Sequence, residues 1–187
     1  LDLLSRSLRV NAEIWATQLN LLTGVNQIEY ANGANGANNA HQVQSAAAKS
    51  SGVALDVSQL GGMYANSIRL IGTEKGVGVH SAGSIVSLTG GIELNSAGDV
   101  RISAGNLLSA TDLRIKSAGQ IENAGAVRAE TEIKVDAATN FKNSGSIAAG
   151  MNSKGLQTSA QDVQIKAGAE VQNSGQIVAT KNLNITG

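Results

Sequence analysis

The amino-acid sequence predicts an all-β chain, a right-handed three-sided parallel β-helix (β-solenoid) forming one unit over residues 1–187. Two loop or hairpin excursions, about 26–52 and 150–159, interrupt it. Two observations carry the prediction. A unit of ~20 residues holding three short alternating segments repeats through the second half, and repeats of this length are the mark of stacked architectures. The core is also almost wholly aliphatic, with Trp15, Tyr30, Tyr64 and Phe141 as the only aromatics. Large rings ordinarily fill irregular gaps between packed layers. Small and branched side chains suffice where every layer is alike.

The repeat can be read position by position. Leu113 and Ile115, Ile133 and Val135, Val163 and Ile165, and Leu183 and Ile185 each form an apolar-polar-apolar segment. A second class begins at Ile121, Phe141 and Val171 and ends on Asn123, Asn143 and Asn173. After Ala-Gly or Ser-Gly comes a third apolar position at Val127, Ile147 and Ile177. Offsets of eight, six and six residues recur, and one interval longer by ten places an insertion near 150–159. Alternation puts one face inward and the other outward. Segments this short bury a face only by stacking as parallel strands. On this phase Ile115, Ile133, Val135, Ile165 and Leu183 point into the core, and Lys134 points out.

Upstream the spacing loosens but persists: Ile68 and Leu70, Val77 and Val79, Ile85, Ile92 and Leu94, Val100 and Ile102, Leu107. Leu8, Val10, Ile14, Leu19 and Leu21 make further coils, so seven to eight are expected. Between about Asn26 and Gly52 the text YANGANGANNAHQ turns easily and buries little, which marks an excursion with a short hairpin around Ile28–Tyr30. The in-phase asparagines admit two structural readings: an amide ladder along the solenoid, or left-handed backbone before glycine.

Composition narrows the function. Fourteen basic residues balance fourteen acidic ones without a basic stripe, which argues against nucleic acid and anionic membranes. No apolar run approaches the ~20 residues of a membrane span. The sequence opens without a charged and apolar leader, in the middle of a patterned segment, as a fragment of a longer protein would. With no cysteine there is no disulfide scaffold or thiolate metal site. His41 and His80 stand without metal-ligand spacing and read as single exposed side chains. Asp99, Glu122 and Asp136 are separated in phase, so no carboxylate cluster is expected. Gly72–Gly78 lacks the Gly-Lys-Ser/Thr ending of a phosphate loop and reads as a coil corner. Met63 and Tyr64 read either as a contact patch or as the edge of the core, and Asn184–Thr186 as a strand ending. The expectation is therefore no catalytic residues, no cofactor-binding residues and no metal: not an enzyme.

Two segments resemble a known family. LDLLSRSLRVNAEIWATQLNLLTGVNQIEY (1–30) and ALDVSQLGGMYANSIRLIGTEKGVGVHSAG (54–83) resemble the end of the secretion domain of filamentous haemagglutinins and contact-dependent growth inhibition exoproteins. The LGGMYA (60–65) and GTEKGVGV (72–79) cores are the most specific parts, and the later coils resemble the generic filament repeats. The resemblance implies two-partner secretion through an outer-membrane pore and a secreted rod on the bacterial cell surface. It implies a structural stalk that serves in adhesion or presents a C-terminal toxin. The family's Asn-Pro secretion motifs cannot occur in a chain without proline, and no separate toxin domain is visible, so neither role falls to these residues. A target-cell receptor is a further partner the family implies, and the fragment itself is expected to be monomeric. A carbohydrate-binding or polysaccharide-cleaving β-helix is the rival reading, which requires an aromatic-lined groove.

Overall fold

A computed structural model describes residues 1–32, 38–45, 53–76, 78–152 and 154–187. Every element in it is a β-strand, and all pair in parallel except one antiparallel hairpin and an isolated bridge. The strands stack into three faces, each built from one segment per coil. The first face runs from Glu13–Thr23 and Gly62–Gly72 through Ser84–Ser87, Asn106–Ser109, Ala126–Ala129 and Ser146–Ala149 to Gln176–Ala179. The second continues from the far halves of the same two long strands through Ile92–Ser96, Leu113–Ser117, Ile133–Ala137 and Val163–Ala167 to Leu183–Thr186. The third is a separate seven-stranded sheet from Leu8–Val10 to Val171–Asn173. The chain is a three-sided parallel β-helix.

The register turns the sequence offsets into columns of like side chains. On the second face Leu19, Ile68, Ile92, Leu113, Ile133, Val163 and Leu183 stack directly on one another. On the third, Leu8, Leu55, Val79, Val100, Ile121, Phe141 and Val171 do the same. Phe141 is fully buried, the one large ring in the column. Ile115, Ile133, Val135 and Ile165 are buried as the phase requires. Leu183 keeps its place in the column but is 45% exposed, because it lies in the outermost coil and no strand of this chain stacks beyond it.

The long strands have a simple cause. Only two residues separate the inward Ala16 from Leu19, and Ala65 from Ile68, so the backbone keeps strand geometry through the corner. Later coils spend three or four residues there, as between Ala129 and Ile133, and break into separate strands.

The corner after the third face is instead a column of glycines. A Cβ on Gly83, Gly105, Gly145 or Gly175 would run into the carbonyl oxygen of the glycine one coil below. Backbone packs on backbone here, and any side chain would separate the coils.

The described parts of both segments lie off the coils. Asn26–Asn32 and Asn38–Ser45 form the antiparallel hairpin, with a register shift between Asn26 and Ile28. The remainder of that segment lies outside the described residues, as does Val77. Around Lys154 the chain leaves the first face, closes through a Met151–Gln157 bridge and Asn152 Oδ1 accepting from the Lys154 and Leu156 amides, and returns.

Candidate functional site

Three features stand out from the repeating surface: the root of the hairpin, the asparagine ladder, and a histidine-centred relay on the third face. The root is made by the two segments singled out in the sequence. Gly24, at φ 111°, lets the chain leave the helix against Thr73 and Glu74. Thr73 Oγ1 bridges the Thr23 carbonyl at 3.1 Å and Asn26 Oδ1 at 2.7 Å. Glu74 is buried and meets the Arg6 guanidinium at 3.4 Å. A buried charge needs such a partner. Arg6, Gly24, Asn26, Thr73 and Glu74 thus tie the first coil, the hairpin and the GTEKGVGV corner together. The corner reading of Gly72–Gly78 holds, with Gly76 at φ 79°. In LGGMYA, Met63 is a fully buried core residue and cannot serve in a contact patch. Tyr64 faces outward and stacks on Trp15 at 4.4 Å between ring centroids. The two rings pack on each other along the first face, not around a groove.

The asparagines form the ladder. Asn123 Nδ2 donates to Asn143 Oδ1 and Asn143 Nδ2 to Asn173 Oδ1, both at 2.7 Å. The left-handed alternative falls, since among the described residues only glycines have positive φ. Asn123 and Asn143 are buried with their amides paired, which is what makes their burial tolerable.

His80 departs from expectation. It is not a lone exposed histidine: its Nδ1 lies 2.9 Å from Asp56 Oδ1 and its Nε2 2.8 Å from Ser103 Oγ. Arg9 holds the other Asp56 oxygen at 3.3 Å. The remainder of this outward row, Arg101, Glu122, Lys142 and Gln172, continues as neighbouring polar groups, with Arg101 paired to Glu122 at 2.8 Å. The side chain of His41 lies outside the described residues. Among the described residues no group of three or more metal-ligating side chains converges. Asp99 caps the Gln120 amide at 2.9 Å. Glu122 projects outward on the third face and Asp136 on the second, so the carboxylates stay apart. Asn184–Thr186 lies in the last strand.

The model of the TPS secretion domain matches residues 1–102, more than half of the chain. The chain belongs to this two-partner-secretion family. Among its relatives are a toxin CdiA of Yersinia pestis, 44% identical over 126 residues, covering 67% of this chain and 4% of that protein. A tRNA nuclease CdiA-2 of Burkholderia pseudomallei is 38% identical over 102 residues, 54% of this chain and 3% of that protein. A tRNA nuclease CdiA of Yersinia mollaretii is 35% identical over 130 residues, 70% of this chain and 4% of that protein. The chain therefore spans only a few hundredths of the length of these relatives. No solved structure matches.

The TPS match ends at Ile102, within the third face of the coil that follows the hairpin root. All of the root lies inside the TPS region, and the regular coils from Asn106 onward lie outside it. As a TPS exoprotein the protein is secreted and displayed on the bacterial cell surface.

Proposed function

We propose that these residues are a structural stalk, the junction where the TPS region becomes a regular filament that presents a C-terminal toxin to neighbouring bacteria. One observation carries the reading: the coils stack in unbroken register from Leu8 to Thr186, so the region behaves as a rod. Toxin presentation is favoured over adhesion because the relatives are toxin and nuclease CdiA proteins. Outward rows on the second and third faces carry polar and charged side chains, several of them paired with a neighbour, which suit solubility and weak multivalent contact more than one deep site. On this reading the isolated chain is monomeric, engages a target-cell receptor weakly at most, binds no nucleic acid and does not take part in the toxin's chemistry. The carbohydrate-active rival needs an aromatic-lined groove. Among the described side chains, Trp15 and Tyr64 stack on each other and Phe141 is in the core.

The test uses the full-length exoprotein with residues 113–132 deleted, which removes one whole coil. Surface display and growth inhibition of neighbouring cells should both persist, while the purified 187-residue chain should inhibit nothing. Loss of inhibition with display intact would refute the spacer role, and growth inhibition by the chain alone would place activity within it.

A further inference from the structure

We propose that Ser103 is an activated nucleophile, a site on the outer corner of the stalk that accepts an acyl group from an activated carboxylic ester, with His80 as its base and Asp56 as a positioning residue. The inference is independent of the stalk reading and assigns no turnover to the chain.

The geometry comes from the register of three successive coils. Asp56 and His80 are direct cross-strand partners on the third face, and Ser103 follows the strand paired to His80's own. In the neutral ring Nδ1 donates to Asp56 Oδ1 at 2.9 Å, which fixes the tautomer and leaves the Nε2 lone pair facing Ser103 Oγ at 2.8 Å. Both contacts fall within the range required of a nucleophile, its base and the group that orients the base. Arg9, 3.3 Å from the other Asp56 oxygen, holds that carboxylate in place. Ser103 is exposed and lines a groove of 630 Å³ with Arg101, Lys142 and Ser144, so an acyl donor has access.

The step balances without a further reactant. Ser103 Oγ–H gives its proton to His80 Nε2 as Oγ bonds the ester carbonyl carbon. The carbonyl–oxygen bond to the leaving alcohol then breaks, and that alcohol takes the proton back from Nε2. An acyl-serine remains. The site is open to water and lacks the enclosure that strengthens charge stabilisation in an enzyme, so one transfer is expected and not a cycle.

The repeat supplies internal controls. Ser144 and Ser174 occupy the same corner in later coils, each with Oγ 3.4 Å from the asparagine carbonyl below, as Ser103 Oγ sits 3.5 Å from the Ser81 carbonyl. They differ in what the outward row offers. Where Ser103 has His80, the coils beneath Ser144 and Ser174 present Glu122 and Lys142.

The test is to treat the 187-residue chain with an alkyl fluorophosphonate and map adducts by peptide mass. Ser103 should be labelled about ten- to a hundredfold faster than Ser144 and Ser174, at or below the low end of the ~10²–10⁴-fold that a positioned base contributes in an enzyme. His80→Gln should bring Ser103 down to the rate of the other two, and Asp56→Asn should slow it severalfold. The rates at Ser144 and Ser174 in the same samples report whether each variant keeps its fold. Ser103 labelling no faster than Ser144, or an unchanged rate in His80→Gln, would overturn the proposal.

Discussion

At the scale of single residues, the inward and outward positions of one strand carry very different energies. Ile133 is fully buried between Leu113 and Val163 in the second-face column. Aspartate there would place a carboxylate among stacked aliphatic layers with no cation in reach, at a cost of several kcal/mol, of order ~3 or more. Its neighbour Lys134 faces out and pairs with Glu132 at 2.9 Å, with 44% of its side chain exposed. Such pairs contribute under ~1 kcal/mol. Ile133→Asp should therefore lower the melting temperature far more than Lys134→Ala. Equal losses would refute the phase. The asparagine ladder allows a finer comparison. Asn143→Ala removes the acceptor of the buried Asn123 amide and should cost about 1–3 kcal/mol. Asn173→Ala removes the acceptor of the Asn143 amide, but Asn173 is exposed, so water can take its place and the loss should be clearly smaller when both are measured by denaturant titration.

At the scale of elements, corners decide what the chain does. Alanine at Gly145 would push a Cβ into the Gly125 carbonyl, and backbone cannot yield as a side-chain tip does. Gly145→Ala should cost about 1–3 kcal/mol, the usual range for overpacking, and urea melts would show it. The excursion near 150–159 should be the first place a protease enters among the described residues. Lys154 and Leu156 are exposed and sit outside the parallel ladder, whereas Lys134 and Lys166 lie within strands paired on both sides. Brief trypsin treatment should cut at Lys154 before either, and the reverse order would count against the assignment of this segment as a protrusion.

Both excursions were legible because they break a period. So were the core columns, because Ile121, Phe141 and Val171 repeat at the positions that stack. The His80 relay was not legible. Its members are 24 and 23 residues apart, in coils of unequal length upstream of the regular repeat, and only the actual register brings them together. Nor was the burial of Glu74, since nothing in GTEKGVGV says that Arg6 will reach it.

At the scale of the whole molecule, the solenoid is a stack in which each coil meets only its neighbours, so its stability is close to a sum of coil terms and interface terms. The columns make coils interchangeable to the extent that they share a length. Removing 113–132 takes out one period: Ile133 would then sit over Ile92 where Leu113 sat, Phe141 over Val100, and Ile147 over Leu107. Each substituted layer is aliphatic or aromatic on both sides, and the glycine corner is preserved, Gly145 falling over Gly105. That deletion should fold, with a far-ultraviolet spectrum of unchanged β character and a modestly lower melting temperature. Removing only 113–122 deletes fewer residues but half a period. It would carry Asn123 to the position of Leu113, Gly125 to that of Ile115 and Thr131 to that of Ile121, putting polar groups and a missing side chain into the core, where each buried unpaired group costs ~1–3 kcal/mol or more. If stability simply followed the number of residues kept, the shorter deletion would be the milder one. Register predicts the opposite order, and a thermal melt of the two variants side by side decides between them.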